Sequence, residues 1–333
     1  MRAVLLNDTR SSRHHGCDAV VRGIFSLCAE RGISITATAA ANLDWRDQAP
    51  VLEAIEAADL VIVNGEGTIH HDAERGRILL TAAGHARERG KASALINATW
   101  EANGAPMAAL AAGFDLVSVR DNRSAAELRA HGVACRVTPD LALLTQVDPA
   151  DRGEAVLYTD NVVAARALEL YRLGWSIGAR PLSIFHHKRS AREALQFMRR
   201  YAAAMKPIAA RTLVTAERAG WDDIVGQVDD FAGWTRRISR AGLVITGRFH
   251  VVALCLATAT PFLATPSNTH KIEALIEDAG LEPWRVGPVE AMTPGLIERG
   301  RRWTSAEAGD LGAFLASARE RMRALFGDIS ALR

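Results

Sequence analysis

The feature that most limits how this chain can fold is a regular alternation of short apolar runs with amphipathic helical stretches. Over the first half, runs at 3–6, 34–37, 60–64, 92–97, 116–119 and 135–137 read as strands. Helices are predicted between them over 18–30, 51–58, 72–89, 105–112 and 122–131. Strands separated by helices cannot be hairpin-linked, so they pair in parallel with helices on both faces of the sheet. After a polar stretch at 146–153 (QVDPADRG) the pattern restarts. Strands are expected over 155–158, 182–186, 212–215, 243–246 and 261–264, with helices over 163–173, 191–205, 230–240, 251–259 and 269–279. The expected class is therefore α/β, with two Rossmann-like domains facing a cleft: 1–145, a linker at 146–153, and 154–304. A last helix over 306–326, within a segment 305–333, is expected to pack back on the first domain.

Composition removes several alternatives. Forty basic against thirty-eight acidic residues give a net charge of +2, too even for nucleic-acid binding through the overall field. Four scattered cysteines form no CxxC pair, which argues against a disulfide framework or zinc knuckle and suits a reducing, cytoplasmic setting. The start has no signal-peptide pattern. The apolar run 251–264 carries threonines and is broken by Pro261, so no transmembrane segment is expected, while peripheral contact with a membrane face stays compatible.

In such sheets ligands bind beyond the carboxyl ends of the strands, and the chemically useful residues gather there. Gly247-Arg248-Phe249-His250 ends one apolar run and places a fixed cation and an imidazole at a strand-to-helix turn. Asn64-Gly65-Glu66-Gly67-Thr68-Ile69-His70-His71 leaves another run. Its glycines permit close backbone approach, and Glu66 can take a proton from a bound hydroxyl; a plain glycine turn with Glu and Thr capping the next helix would contain the same residues. Arg120 ends the strand before Asp121-Asn122, where Asp121 is explained as a helix cap. Pro139-Asp140 offers a further carboxylate. Ser267-Asn268-Thr269-His270-Lys271 opens a helix, and a lysine in that first turn opposes the helix dipole unless an anion joins it. The loop 7–18, with Arg10 and Arg13, can hold an oxygen-rich ligand through its amides, or be a solvated loop. His14-His15, His70-His71 and His186-His187 are adjacent pairs. Neighbours point about 100° apart on a helix and to opposite faces of a strand, so no metal site is expected. Neither GxGxxG nor a GxxxxGK[ST] loop occurs.

Taken in order, LLNDTR…HHGCD, VNGEGTIHH, SVRDNRS, TPD, ITGRFH and SNTHK resemble the polysaccharide pyruvyl transferase family over about 5–275. The resemblance implies a GT-B-like pair of domains and transfer of a pyruvate ketal from phosphoenolpyruvate to a sugar of a cell-surface polysaccharide, such as an exopolysaccharide, or its lipid-linked precursor. Phosphoenolpyruvate is a co-substrate and no cofactor is implied. The Arg and His of G-R-x-H are associated with phosphoenolpyruvate, here Arg248 and His250. On this reading His250 is the general acid or the group stabilising departing phosphate, and Glu66 the base. Arg248, Lys271, Arg120, Ser267 and Asn268 hold the donor; Asn7, Asp8, His15, Asp18, Asn64, Gly65, Thr68 and His70 face the acceptor. The chain departs from many bacterial members at His15-Gly16-Cys17-Asp18, where a G-D-E-like triplet is common, which bears on the acceptor. Two other readings fit the same residue types: a GT-B glycosyltransferase holding a sugar nucleotide with Arg248 and Lys271, and a non-catalytic glycan-pathway binding protein. Ligand-induced stabilisation separates the first. The joint presence of an acid, a base and cations weighs against the second.

Overall fold

The computed structural model describes residues 1–147, 151–185 and 230–332. The helix expected over 191–205, the strand over 212–215 and the pair His186-His187 lie outside the described residues.

β1 (Arg2–Asp8), β2 (Ser34–Ala40), β3 (Leu60–Glu66), β4 (Ala92–Ala98), β5 (Leu116–Val119) and β6 (Arg136–Val137) form one parallel sheet in the order β2-β1-β3-β4-β5-β6. Every residue of β3 and β4 is buried, as expected for apolar runs covered by helices on both faces. The helices are His15–Glu30, Ala49–Ala57, Glu74–Leu80, Ala82–Glu88, Ala105–Ala111 and Asn122–Ala130. Two differ from expectation. The helix predicted over 72–89 is split at Thr81, whose hydroxyl donates to the Ile78 carbonyl at 2.7 Å and competes with the helical ladder. The helix predicted from 18 begins at His15, because His14 Nδ1 accepts from the Gly16 and Cys17 amides (3.1 and 3.4 Å) and does the work usually done by a short polar cap.

β7 (Val156–Asn161), β8 (Arg180–Pro181), β9 (Leu243–Gly247) and β10 (Phe262–Ala264) form a second parallel sheet in the order β10-β9-β7-β8. In place of the strand expected over 182–186, the described residues form the two-residue β8 just before it. Beyond Pro181 one further bond, Leu182 amide to Tyr158 carbonyl at 2.8 Å, continues the pairing. The helices here are Ala164–Ser176, Phe231–Ser239, Phe249–Ala257, Lys271–Asp278 and Pro294–Gly300.

The final helix, Ser305–Ser330, starts in a capping box of Thr304 and Glu307. It packs on the helices His15–Glu30 and Phe249–Ala257 and on the turn Leu141–Leu144. Val20, Ile24, Leu254, Met322 and Phe326, from these three helices, are fully buried in one continuous cluster. At about 1.5–3 kcal/mol per large buried side chain, this shared core holds the two sheets together. Among the described residues each sheet reverses its strand order once, between β1 and β3 and between β7 and β9. Those two switch points are where a doubly wound sheet leaves room for a ligand, and both open onto the same crevice.

Candidate functional site

A cavity of about 230 Å³ lies where the two switch points meet, bounded by Asn7 and Glu66 from the first sheet and Arg248 and His250 from the second. On the first side the ends of three adjacent strands are tied by amides. Asn7, with φ of 64°, donates through Nδ2 to the Asn64 carbonyl (2.5 Å), and Asn97 Nδ2 donates to Asn64 Oδ1 (3.4 Å). Asn64 Nδ2 and the Thr9 hydroxyl donate to Glu66 Oε1 at 3.1 and 2.7 Å, and the Cys17 thiol lies 3.6 Å from Oε2. Burial raises the Glu66 pKa. The charge of Asp140 adds to this, while the bonds from Thr9 and Asn64 and the charge of Arg120 oppose it. Gly65 serves packing: a Cβ there would come 2.5 Å from that of Ala98 on β4.

Side-chain cations converge on the cavity from both lobes, Arg120 from the first and Arg248 and Lys271 from the second. Arg120 is buried, donates from Nη1 to Asp140 Oδ2 at 2.9 Å and stacks 4.0 Å over the Phe249 ring. Its Nε is buried with no hydrogen-bond partner among the described residues. Lys271 Nζ donates to Asn268 Oδ1 at 2.6 Å. Both Lys271 Nζ and Arg120 Nη2 lie within 4 Å of where a Cβ on Gly67 would stand. Burial, with the charges of Arg120 and Arg248, lowers the Lys271 pKa to about 7. Arg248 caps the helix Phe249–Ala257 and grips Asp160 of β7 with two nitrogens, Nε reaching Oδ1 at 2.7 Å.

His250 sits between these groups, with Nε2 buried, 3.8 Å from Asp140 Oδ2 and without a hydrogen-bond partner among the described residues. Burial, then Arg120, Lys271 and Arg248, hold its pKa well below 6.5, so the imidazole is neutral at neutral pH. Its ring packs edge-on to His14 at 5.4 Å. Gly16 makes this approach possible, since a Cβ there would fall 2.1 Å from that of His250. The donor atoms of His14, Cys17 and His250 come within 4.8 Å of one another. A metal ion among them would share the cavity with the cations Arg120, Arg248 and Lys271, whose charges oppose it.

Of the residues singled out from sequence, Glu66, Thr68, Asn7, Arg120, Arg248, His250 and Lys271 line this cavity. Asn64 stands behind Glu66 and orients it. Asp8 is turned to Arg10, which it binds through Nε at 2.9 Å. His15 is buried and stacked on Trp234 at 4.9 Å, between the sheets. Asp18 lies in the first helical turn outside the cavity, and His70 pairs with His71 at 3.0 Å. Ser267 and Asn268 do not line the cavity; Asn268 acts through Lys271. Thr9, His14, Cys17 and Arg75 line it without having been anticipated as site residues. His14 and Cys17 stand beside His15 and Asp18 in the loop 7–18, which was expected as a whole to hold an oxygen-rich ligand.

This is the two-lobed GT-B architecture. UDP-GlcNAc 2-epimerase from Methanocaldococcus jannaschii, solved in complex with UDP-GlcNAc and UDP, superposes with a TM-score of 0.54 at 12% identity over 96% of this chain and 100% of that one. MurG from Acinetobacter baumannii gives 0.50 at 12% identity over 98% and 99%. These likenesses concern fold alone. No curated protein matches the sequence. The family model for polysaccharide pyruvyl transferase matches residues 7–268, and the chain belongs to that family.

Proposed function

We propose that the protein transfers the enolpyruvate-derived group of phosphoenolpyruvate to two hydroxyls of a sugar in a cell-surface polysaccharide or its precursor, forming a ketal and releasing phosphate. The observation that carries this reading is the convergence of Arg120, Arg248 and Lys271 on one cavity beside a neutral buried imidazole and a buried carboxyl. Phosphoenolpyruvate presents a phosphate and a carboxylate, and fixed guanidinium groups suit both.

In the reaction a proton goes to the methylene carbon, C2 becomes oxocarbenium-like, and the first sugar hydroxyl adds to it and gives up its proton. The second hydroxyl then displaces phosphate, which leaves with that hydroxyl's proton. One hydroxyl proton thus ends on the new methyl group and the other on phosphate. The directions of the two pKa shifts favour the roles in the reverse of the order expected from sequence. Glu66, whose protonated form is favoured by burial, supplies the proton to carbon, and neutral His250 receives one from the hydroxyl; exchange with solvent then reprotonates Glu66 and deprotonates His250, so the hydroxyl proton balances the one given to the methyl group. Arg120 and Lys271 stabilise charge on the departing phosphate.

The rival within enzymes is a glycosyltransferase holding a sugar nucleotide, since the architecture is shared with a protein solved with UDP-GlcNAc and UDP. Thermal unfolding with each ligand separates the two, because a ligand bound to the native state raises the melting temperature. Stabilisation by phosphoenolpyruvate, and phosphate release on adding a glycan acceptor that disappears in Glu66→Gln and His250→Ala, supports pyruvyl transfer. Stabilisation by nucleotide diphosphates alone overturns it.

A further inference from the structure

His270 precedes Lys271 in the second lobe, yet its ring is held by two carboxylates of the first. Nδ1 lies 3.0 Å from Glu101 Oε2, and Nε2 lies 3.1 Å from Asp121 Oδ1. The His270 amide also donates to Glu101 Oε2 at 2.7 Å. A carboxylate oxygen accepts and does not donate, so only an imidazolium, with a proton on both nitrogens, satisfies both contacts. Asp121 is fixed independently, because it caps the helix Asn122–Ala130 by accepting from the Ser124 amide at 2.7 Å. Glu101 is fixed by the chain, which pairs its backbone with His70. Among the described residues Arg123 also bears on the ring; it pairs with Glu277 at 2.8 Å, while Asp278 accepts from the Asn122 amide at 3.0 Å beside it.

We propose that His270 is a positioning residue: as an imidazolium it latches the two lobes through Glu101 and Asp121, and so sets Lys271, the next residue, across the cavity from Gly67. The latch rests on the reading of Lys271 as an anion-holding group, and not on which anion reacts. Its pH sense follows from the pairing. Burial lowers the His270 pKa, but the bond and charge of Asp121 and the charge of Glu101 outweigh it and raise the pKa above 6.5. The interaction is therefore complete below 6.5 and is lost as pH rises through the higher folded-state value. The His270 latch is closed in mildly acid and neutral solution and opens in alkali, while the shared core continues to join the lobes.

The test uses the full chain, ring-nitrogen NMR of His270, and calorimetric titration with sulfate, whose charge is constant across this range. Both ring nitrogens should stay protonated above pH 6.5 in the parent, and the titration should move down in Glu101→Gln. Sulfate affinity should weaken through the His270 titration in the parent. It should fall roughly tenfold at neutral pH in His270→Asn, and His270→Arg, a fixed cation that reaches both carboxylates, should hold its affinity further into alkali than the parent. A ring that is neutral at pH 6.5, or a His270→Asn protein that binds sulfate as the parent does, overturns the latch. A parent that fails to bind sulfate counts against the anion cavity and hence against the proposed function, while ring protonation still decides the latch.

Discussion

Arg285 and Arg120 are both withdrawn from solvent, both paired with a carboxylate and both packed on an aromatic ring, but their surroundings differ. Arg285, behind the second sheet, binds Glu307 with Nε and Nη2 and gives its other bonds to the carbonyls of Phe262 (3.0 Å), Gly300 (3.3 Å) and Arg302 (2.8 Å). Arg120, among the described residues, makes one side-chain bond, to Asp140, and keeps Nε buried and unmatched. Desolvating a guanidinium costs several kcal/mol, so a buried arginine is normally surrounded by acceptors. Arg285 meets that requirement within the protein. Arg120 meets it in part: Nη1 is matched, while Nη2 lies 3.9 Å from where a Cβ on the cavity residue Gly67 would stand, beside Lys271. The lesson is that a buried cation that is structural can be told from one that awaits an anion by whether its donors are already matched.

The largest expected effect tests the structural half of that contrast. Arg285→Met leaves Glu307 buried without its partner and should lower unfolding free energy by about 3–5 kcal/mol in denaturant titration. Phosphoenolpyruvate affinity of the protein that remains folded should be unchanged. If affinity falls with stability, the two arginines do not have separate roles.

Lys271→Met should do the opposite. Removing one charged donor from a bound anion is worth about 1.5–3 kcal/mol, or roughly tenfold or more in affinity, by calorimetry. The parent also carries a pH signature. An anion binds the ammonium form, so sulfate affinity should fall as pH rises past about 7. Stability should rise over that interval, because the unfolded lysine keeps up to its ordinary 10.5 a proton that the folded one has released. Lys271→Met should lose the lysine's share of both slopes.

The smallest effect is expected at Gly67. A methyl there would meet Lys271 Nζ at 3.8 Å and Arg120 Nη2 at 3.9 Å, ordinary contact distances, so Gly67→Ala should change stability by no more than about 0.5 kcal/mol. It should weaken anion binding, since it stands between the two cations. Unchanged binding would show that the anion lies elsewhere in the cavity.

Much of this was legible in the sequence. Strand-helix alternation gave the parallel sheets, and strand ends marked by glycine and charge pointed to Glu66, Arg248 and His250; a lysine misplaced against a helix dipole pointed to Lys271. Which face of the first helix turns inward was not legible. The family resemblance at His15-Gly16-Cys17-Asp18 pointed to His15 and Asp18. The ring of His14 as a cap moves the start back, putting His14 and Cys17 in the cavity and His15 against Trp234. Each residue rotates a helix by about 100°, so a small error in the cap changes the face. The partners of the cations were also hidden. Asp160 becomes a neighbour of Arg248 only when β7 and β9, distant in sequence, pair, and Asp140 of Arg120 only when β5 and β6 lie side by side; no local pattern records either. Nor did the sequence show that Glu101 and Asp121 would both reach His270.

The most direct measurement is calorimetric titration of phosphoenolpyruvate into the parent, Arg120→Ala and Arg285→Met proteins under one buffer condition. The account predicts saturable binding to the parent and to folded Arg285→Met, and loss of binding in Arg120→Ala. Equal binding to the parent and Arg120→Ala, or no binding to the parent where a nucleotide diphosphate does bind, would contradict it.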